Sequence, residues 1–262
     1  MKVTILGARG SIPTNGNLMT QFGGATSCIM VEAGEALIFI DAGTGITTVP
    51  ETDKKSVSVL LTHPHIDHLL GFPFFPYART KGMHIDVYAE TKDGRDTRAQ
   101  IDSFISPPLW PCTIDSYPAD IVCKQFVSPC EIDGVEVTSM ASCHPGGSTI
   151  FRLRHDGVSF VYATDYENTA EKDAELIRLC RDTDLLLYDG QYTATEFAEK
   201  KGYGHSTCAH GIYIMEQCGA KMMRILHHDP HHSDDDLIRM ENEVKSDRVS
   251  FARQGEIICL QK

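Results

Sequence analysis

Three histidines and one aspartate lie in the short stretch His-Pro-His-Ile-Asp-His at residues 63–68. The stretch follows residues 57–61, Val-Ser-Val-Leu-Leu, an apolar and β-branched run that predicts a buried strand. Neutral imidazole is the commonest metal ligand, and a carboxylate adds the negative charge that a divalent cation needs. Imidazoles two positions apart can reach one ion from a sharp turn, which leaves Asp67 and His68 for a second ion. We therefore predict a metal site here rather than a solvated, histidine-rich loop.

Further candidate ligands follow other short strand-like runs. His144 comes after one such run, Asp165 closes a second, and the pair His227 and His228 follows a third. Strands that deliver His, Asp and His to one rim of a sheet provide the geometry that a binuclear site requires.

The length of the chain allows one large α/β domain or two small ones, and the composition is that of a soluble protein with a sizeable core. Of the 262 residues, 42% are hydrophobic and 23% are charged. Lys and Arg number 24 against 36 Asp and Glu, which gives a net charge of −12. Such a surface repels phosphate backbones, which argues against long nucleic acid as a partner, whereas a small anionic substrate is still compatible with it. Bound cations would dominate the local field of a metal pocket and attract such a substrate.

The nine cysteines form no C-x-x-C pair, and their number is odd. This pattern favours reduced thiols over a disulfide framework or a zinc ribbon. The chain opens directly on a short strand-like run, and no apolar run approaches the length of a membrane span. We therefore expect a cytoplasmic protein without a membrane partner. A homodimer is compatible with the sequence.

Two segments, residues 27–41 and 148–165, each predict a strand–turn–strand unit that ends in an aspartate. Their similarity suggests an internal duplication. By contrast, residues from about 72 to 123 are rich in proline and contain the only tryptophan, Trp110. Long connections of this kind are usually lids or binding loops. We therefore predict one domain over residues 1–262 with a lid or insert at about 72–123. The aromatic residues of this insert either line a pocket or attach it to the core.

The sequence resembles metallo-β-lactamase-fold hydrolases, in the branch near ribonuclease Z and metal-dependent phosphodiesterases. Seven motifs carry the resemblance: Gly-Ala-Arg-Gly-Ser-Ile-Pro at 7–13, Asp-Ala-Gly-Thr-Gly at 41–45, Thr-His-Pro-His-Ile-Asp-His at 62–68, His-Pro-Gly-Gly at 144–147, Ala-Thr-Asp at 163–165, Gly-His-Ser-Thr at 204–207 and His-His-Asp-Pro at 227–230. The resemblance implies an α/β fold, specifically a four-layer αββα sandwich. The chain lacks the long Gly/Pro-rich basic arm with which ribonuclease Z grips tRNA.

The resemblance also implies a metal-ligand set. Carried over by motif position, the first metal ion would be held by His63, His65 and His144. The second would be held by Asp67, His68 and His228, with Asp165 bridging both. Either His227 or His228 fits the last position, and we predict His228 because it repeats the spacing of His63 from its strand. An all-His and carboxylate set suits two Zn²⁺ ions and also tolerates Mn²⁺ or Fe²⁺.

The resemblance and the ligand set predict a hydrolase that uses a metal-bridging hydroxide, with Asp67 orienting it. The expected substrate is a small phosphodiester such as a cyclic nucleotide. Lactones, thioesters or other acyl substrates are the enzymatic alternative, and a metal or ligand sensor is the non-enzymatic one. His205 is the predicted general acid, at the start of a helix capped by Ser206. A bracing histidine is the alternative role for His205. The substrate-binding residues are not predicted.

Overall fold

The computed structural model describes all 262 residues, and its strands form two seven-stranded sheets. In chain order the strands are β1 (Lys2–Gly7), β2 (Cys28–Ala33), β3 (Ala36–Ile40), β4 (Ser56–Leu61), β5 (His84–Ala89), β6 (Asp120–Gln125), β7 (Cys130–Ile132), β8 (Val135–Ala141), β9 (Thr149–His155), β10 (Val158–Ala163), β11 (Leu185–Asp189), β12 (Met222–Leu226), β13 (Val249–Phe251) and β14 (Ile257–Cys259). The α-helices are α1 (Ile66–Leu69), α2 (Thr97–Asp102), α3 (Ala170–Leu179), α4 (Ala194–Glu199), α5 (Cys208–Cys218) and α6 (Asp234–Glu243). Short 3₁₀ helices span Thr44–Thr48, Phe72–Phe74, Tyr77–Arg79 and Ile114–Ser116.

The two sheets repeat one pattern of strand pairing. Their spatial orders are β14-β1-β2-β3-β4-β5-β6 and β7-β8-β9-β10-β11-β12-β13. In each sheet, read in these orders, three antiparallel pairs precede three parallel pairs. The aspartates that end the two predicted strand–turn–strand units also share a left-handed backbone, with φ of 61° at Asp41 and 53° at Asp165. The topology thus agrees with the internal duplication predicted from the sequence.

The sheets pack against each other through an apolar core, and helices cover both outer faces. One buried cluster joins side chains of the first sheet, such as Ile29 and Ile38, to side chains of the second, such as Phe151 and Phe160. A second cluster lies between the first sheet and the segment around α2, and a third lies between the second sheet and α3, α5 and α6. The layers are therefore helix, sheet, sheet and helix, which confirms the predicted αββα sandwich.

The prediction of a lid at residues 72–123 needs correction. Two strands of the first sheet, β5 and β6, lie within or across this range, and β5 is paired on both sides. Phe104, Trp110 and Tyr117 pack against the apolar cluster on the outer face of that sheet. These aromatic residues attach the segment to the core because their rings exclude water from the sheet beneath. The segment thus supplies two strands of the first sheet together with part of the layer that covers its outer face.

Side-chain caps set the starts of the longer helices. Thr169 caps α3, and Ser233 forms a capping box with Asp236 at α6. The predicted cap Ser206 is wrong by one residue, because the Thr207 side chain accepts the N–H of His210 and begins α5. None of the helices has both the length and the apolar character needed to cross a lipid bilayer.

Candidate metal centre

The predicted ligands converge where strands of the two sheets end. His63 and His65 follow β4, His144 follows β8, and Asp165 follows β10. Asp67 and His68 lie in the single turn of α1, directly after the β4 loop. β4 belongs to the first sheet, whereas β8 and β10 run in the same direction on either side of β9 in the second. Their ends lie together where the two sheets face each other, so side chains just beyond them reach a common cavity.

The first group of side chains consists of His63, His65 and His144. Nε2 of His144 lies 3.1 Å from Nδ1 of His65, and the ring centroids of His63 and His65 are 4.3 Å apart. The three rings each direct one nitrogen to a common point, with these atoms within 4.8 Å of one another. Three converging imidazoles of this kind are a typical set for one divalent transition metal ion.

The second group consists of Asp67, His68 and His227. Nε2 of His68 lies 3.2 Å from Oδ2 of Asp67, and Nε2 of His227 lies 3.1 Å from the same oxygen. Asp165 lies between the two groups. Its Oδ1 is 3.7 Å from Nε2 of His63, and its Oδ2 is 3.1 Å from Nε2 of His68. One carboxylate oxygen therefore faces each group, which is the arrangement that a bridging ligand needs.

Two buried nitrogens of the cluster lack a hydrogen-bond partner. They are Nε2 of His63 and Nε2 of His68, because the carboxylate oxygens beside them are not placed in hydrogen-bonding geometry. A buried polar atom without a partner is energetically costly, so such an atom usually binds an ion or a water molecule. Together with the convergence of the donors, these nitrogens without a partner show that the residues fit the binding of divalent metal ions.

The structure does not place His228 in the cluster, so its assignment as a ligand is a wrong prediction. The His228 ring lies between Phe22 and Phe251, and its Nε2–H donates to the carbonyl of Ala252 at 2.9 Å. His227 occupies the position instead. The backbone at His227 has a φ of 62°, a left-handed conformation that turns this side chain, rather than the next, into the cavity.

Each histidine that faces Asp165 from the two groups is held through its other ring nitrogen, and for His63 the partner of Nδ1 is the Thr62 hydroxyl at 3.0 Å. Nδ1–H of His68 donates to Asp41 at 2.7 Å, that of His144 to the carbonyl of Gly204 at 3.1 Å, and that of His227 to Oε1 of Gln191 at 2.9 Å. Such bonds fix the tautomer, so that Nε2 is the nitrogen presented to the cluster. Sequence analysis did not identify these bracing roles.

His205 lies beside the second group and is paired with Asp189. Nδ1–H of His205 donates to Oδ2 of Asp189 at 2.9 Å, and its ring stacks on His227 with centroids 4.8 Å apart. Asp189 is fully buried and was not among the predicted site residues. Its position at the end of β11, directly before Gly190, has the same strand-then-aspartate signal that identified Asp165.

The two groups differ in their affinity for protons. Burial lowers the pKa of His63, and it lowers the pKa of His144 to about 4. Burial also disfavours charge on His227, but the carboxylates of Asp165, Asp67 and Asp189 outweigh it and raise the pKa of His227 to about 9. Positive charge is therefore favoured most strongly between the carboxylates of the second group. A cation bound there would replace protons.

Comparisons with known proteins agree with this fold and site. A family model described as a β-lactamase superfamily domain matches residues 37–228, which is more than half of the chain. The chain therefore belongs to the β-lactamase superfamily, in the metallo-β-lactamase fold of metal-dependent hydrolases. A search of curated protein sequences gave no significant match.

Similar solved structures cover nearly the whole chain. The metallo-β-lactamase fold protein YhfI from Bacillus subtilis has a TM-score of 0.73 and 20% identity over 98% of both chains. The short form of human tRNase Z has a TM-score of 0.70 and 15% identity over 100% of both chains. A diphosphatase of the PhnP family has a TM-score of 0.69 and 16% identity, and covers 99% of this chain and 98% of its own. At these identities the likeness shows the fold alone.

Proposed function

We propose that this chain is a metal-dependent phosphodiesterase that acts on a small phosphodiester such as a cyclic nucleotide. One observation carries the proposal: a proton-donor pair, His205 with Asp189, shares a cavity with the His and Asp cluster. The cavity has a volume of about 320 Å³ and is lined by Ser11, His65, Ile66, Asp67, His144, Asp165, His205 and His227. An alkoxide leaving group requires a proton donor, and a cluster alone would not supply it.

The residues of the cluster divide between holding ions and orienting water. His63, His65 and His144 would hold one ion, and Asp67, His68 and His227 the other, with Asp165 between them. When bound, two divalent ions lower the pKa of water toward neutrality and polarise a phosphoryl oxygen. Zn²⁺ suits this donor set, and Mn²⁺ or Fe²⁺ are also compatible with it.

Asp67 has one oxygen engaged and one free. Its Oδ2 accepts the N–H of Ser11 at 2.7 Å and faces both histidines of its group, whereas its Oδ1 makes no hydrogen bond within the protein. Oδ1 is therefore available to accept a hydrogen bond, and then a proton, from an attacking water molecule. This geometry supports the role of Asp67 in orienting the nucleophile.

His205 is placed to protonate the leaving oxygen. Its Nδ1–H donates to Asp189, so Nε2 is the nitrogen left to donate to a substrate. The ring is also 5.3 Å from that of His144, centroid to centroid, so His205 stands next to both metal groups. The tRNase and the diphosphatase among the similar structures are, by name, enzymes of phosphorus chemistry, which favours the same substrate class.

A turnover panel tests the proposal. The protein, loaded in turn with Zn²⁺, Mn²⁺ or Fe²⁺, is assayed on cyclic nucleotides, bis-aryl phosphates, lactones and thioesters, with chelator-treated protein as the control. We expect turnover of phosphodiesters that is lost on chelation. Efficient turnover of lactones or thioesters, with every phosphodiester left intact, would replace the proposal with an acyl hydrolase. Metal binding without any turnover would favour a sensor.

A further inference from the structure

Ser11 has an unusual backbone at the wall of the candidate active-site cavity. Its φ is 64°, in the left-handed region that serine rarely adopts. Its N–H donates to Oδ2 of Asp67 at 2.7 Å, so the strained conformation places this residue directly against the His and Asp cluster. Strained residues of this kind cluster at functional sites, where surrounding contacts hold them in place.

A hydrogen-bonded relay joins the Ser11 hydroxyl to His227. His227 presents Nε2 to the cluster, so its Nδ1–H donates to Oε1 of Gln191 at 2.9 Å. The amide orientation of Gln191 is thereby fixed, with Nε2 as the donor. That nitrogen donates to Oγ of Ser11 at 3.3 Å. Gln191 itself is buried, so the direction of the whole relay is set by the protein.

The relay leaves the hydroxyl hydrogen of Ser11 without an acceptor in the protein. Oγ of Ser11 accepts from Gln191, and it makes no other hydrogen bond. Since one lone pair is occupied, the O–H is left to donate to whatever enters the cavity that Ser11 lines. A donor next to a cluster for cations suits an anionic oxygen, because hydrogen bonds to charged acceptors are about twice as strong as neutral ones.

We propose that the Ser11 hydroxyl is a substrate-binding donor to a non-bridging oxygen of the phosphoryl group. This assignment rests on the proposed phosphodiesterase function and deepens it. A phosphodiester has two non-bridging oxygens, whereas a carboxylic ester or lactone has a single carbonyl oxygen. When metal ions polarise one oxygen of the substrate, only a phosphodiester has a second non-bridging oxygen that the Ser11 hydroxyl can bind. Ser11 therefore favours phosphodiesters over acyl substrates.

The substitution Ser11→Gly isolates the hydroxyl. Glycine adopts a φ of 64° freely and keeps the backbone N–H that donates to Asp67. The hydroxyl is lost as the donor to the substrate and as the acceptor from Gln191, and water can replace it as that acceptor because residue 11 is exposed. We expect the affinity of the metal-loaded protein for inorganic phosphate, measured by calorimetry, to fall roughly 10-fold to 100-fold. KM for the phosphodiester should rise similarly. The metal content and melting temperature should not decrease.

Ser11→Asn provides the rescue variant. Asparagine tolerates the left-handed conformation and has an amide donor, so it should recover part of the phosphate affinity that glycine loses. Unchanged phosphate affinity in Ser11→Gly, in a protein whose wild type binds phosphate and hydrolyses phosphodiesters, would overturn the assignment alone. A wild type that binds no phosphate and hydrolyses only acyl substrates would overturn the proposed function, and the assignment with it.

Discussion

The carboxylate of Glu167 accepts the backbone N–H of Gly204 at 2.9 Å. It also accepts the N–H of Gly202, so one buried side chain holds both ends of this glycine-bearing loop. The carbonyl of Gly204 in turn accepts Nδ1–H of His144. The contact is so close that a Cβ atom at Gly204 would lie 2.0 Å from Nδ1 of His144. Glu167 is therefore a positioning residue for His144 and for His205, which follows the loop.

The first prediction is that Glu167→Ala weakens the metal centre without unfolding the protein. Loss of the anchor frees the loop that braces His144, and loss of comparable outer contacts costs roughly 10-fold to 100-fold in metal affinity or activity. Competition with a chromogenic chelator measures the affinity, and circular dichroism checks the fold. Glu171→Ala, in the exposed first turn of α3, is the matched control and should change neither. Equal metal affinities in the two variants would contradict the positioning role.

The second prediction concerns stoichiometry. Asp165 faces both groups through its two oxygens. We therefore expect two metal ions per chain in the wild type and weaker binding of both in Asp165→Ala. Elemental analysis after gel filtration measures both. A wild type that retains a single tightly held ion, with Asp165→Ala unchanged, would rule out the binuclear arrangement.

The third prediction separates two adjacent histidines. His227→Ala should lower the metal content, because His227 faces Asp67 and Asp165. His228→Ala should leave the metal content unchanged and lower the free energy of unfolding by about 2–4 kcal/mol, since it removes a buried ring and its hydrogen bond to Ala252. Metal analysis and denaturant unfolding check the pair. Loss of metal in His228→Ala at full stability would reverse the assignment.

The fourth prediction tests His205 as the proton donor. His205→Ala should slow substrates with alkoxide leaving groups by roughly 10²–10⁴-fold, because the leaving oxygen then departs unprotonated. Nitrophenyl esters, whose leaving groups need no proton, should be much less affected. Steady-state kinetics on the two substrate types decides the matter. An equal loss on both, accompanied by weaker metal binding, would show that His205 braces the cluster instead.

The fifth prediction is a pH dependence of stability away from the cluster. Burial of Glu241 opposes its charge, but hydrogen bonds from Arg253 and from the N–H of Phe251 outweigh this effect and lower the pKa of Glu241 below its ordinary value of 4.5. A depressed carboxyl pKa stabilises the folded state above the unfolded pKa, and this stability is lost as the pH falls through the folded pKa.

Glu241→Gln should therefore destabilise the protein by about 1 kcal/mol at neutral pH, since the partner Arg253 is partly exposed. The difference from the wild type should shrink as the pH falls below about 4.5. Urea unfolding across this pH range provides the measurement. Glu243→Gln, at the exposed end of the same helix and without an ion pair, is the control. A difference that persists at low pH would contradict the linkage.

The ligands were predictable where a strand signal adjoins them. His63, Asp165 and His144 each follow an apolar run, and sheet geometry then requires them to meet at one edge. The choice between His227 and His228 was not predictable in this way. The analogy with His63 assumed an extended backbone after β12. His227 instead adopts a φ of 62°, which directs the His227 ring into the cavity and the His228 ring away from it. Histidine adopts the left-handed region too seldom for the residue type alone to predict this conformation.

The bracing contacts were beyond sequence analysis for a different reason. Gln191 donates to Ser11 across 180 positions of sequence, and nothing local to either residue indicates the other. Asp189 was closer to prediction, because it ends a strand as Asp165 does. The segment at residues 72–123 was interpreted as a lid because its many prolines indicate irregular structure. Its strands β5 and β6 are held by pairing with β4 and with each other, which the local sequence does not indicate.

The contact between Asp67 and His227 joins residues 160 positions apart, and this separation governs when the centre is assembled in the cell. During synthesis, the first histidines leave the ribosome long before the strand that delivers His227. A nascent chain therefore exposes His63, His65 and His68 without the partners that complete either group of ligands. Contacts of such long range also form late in folding. The second group of ligands is therefore complete only in a chain that has been translated through β12, the strand that directly precedes His227.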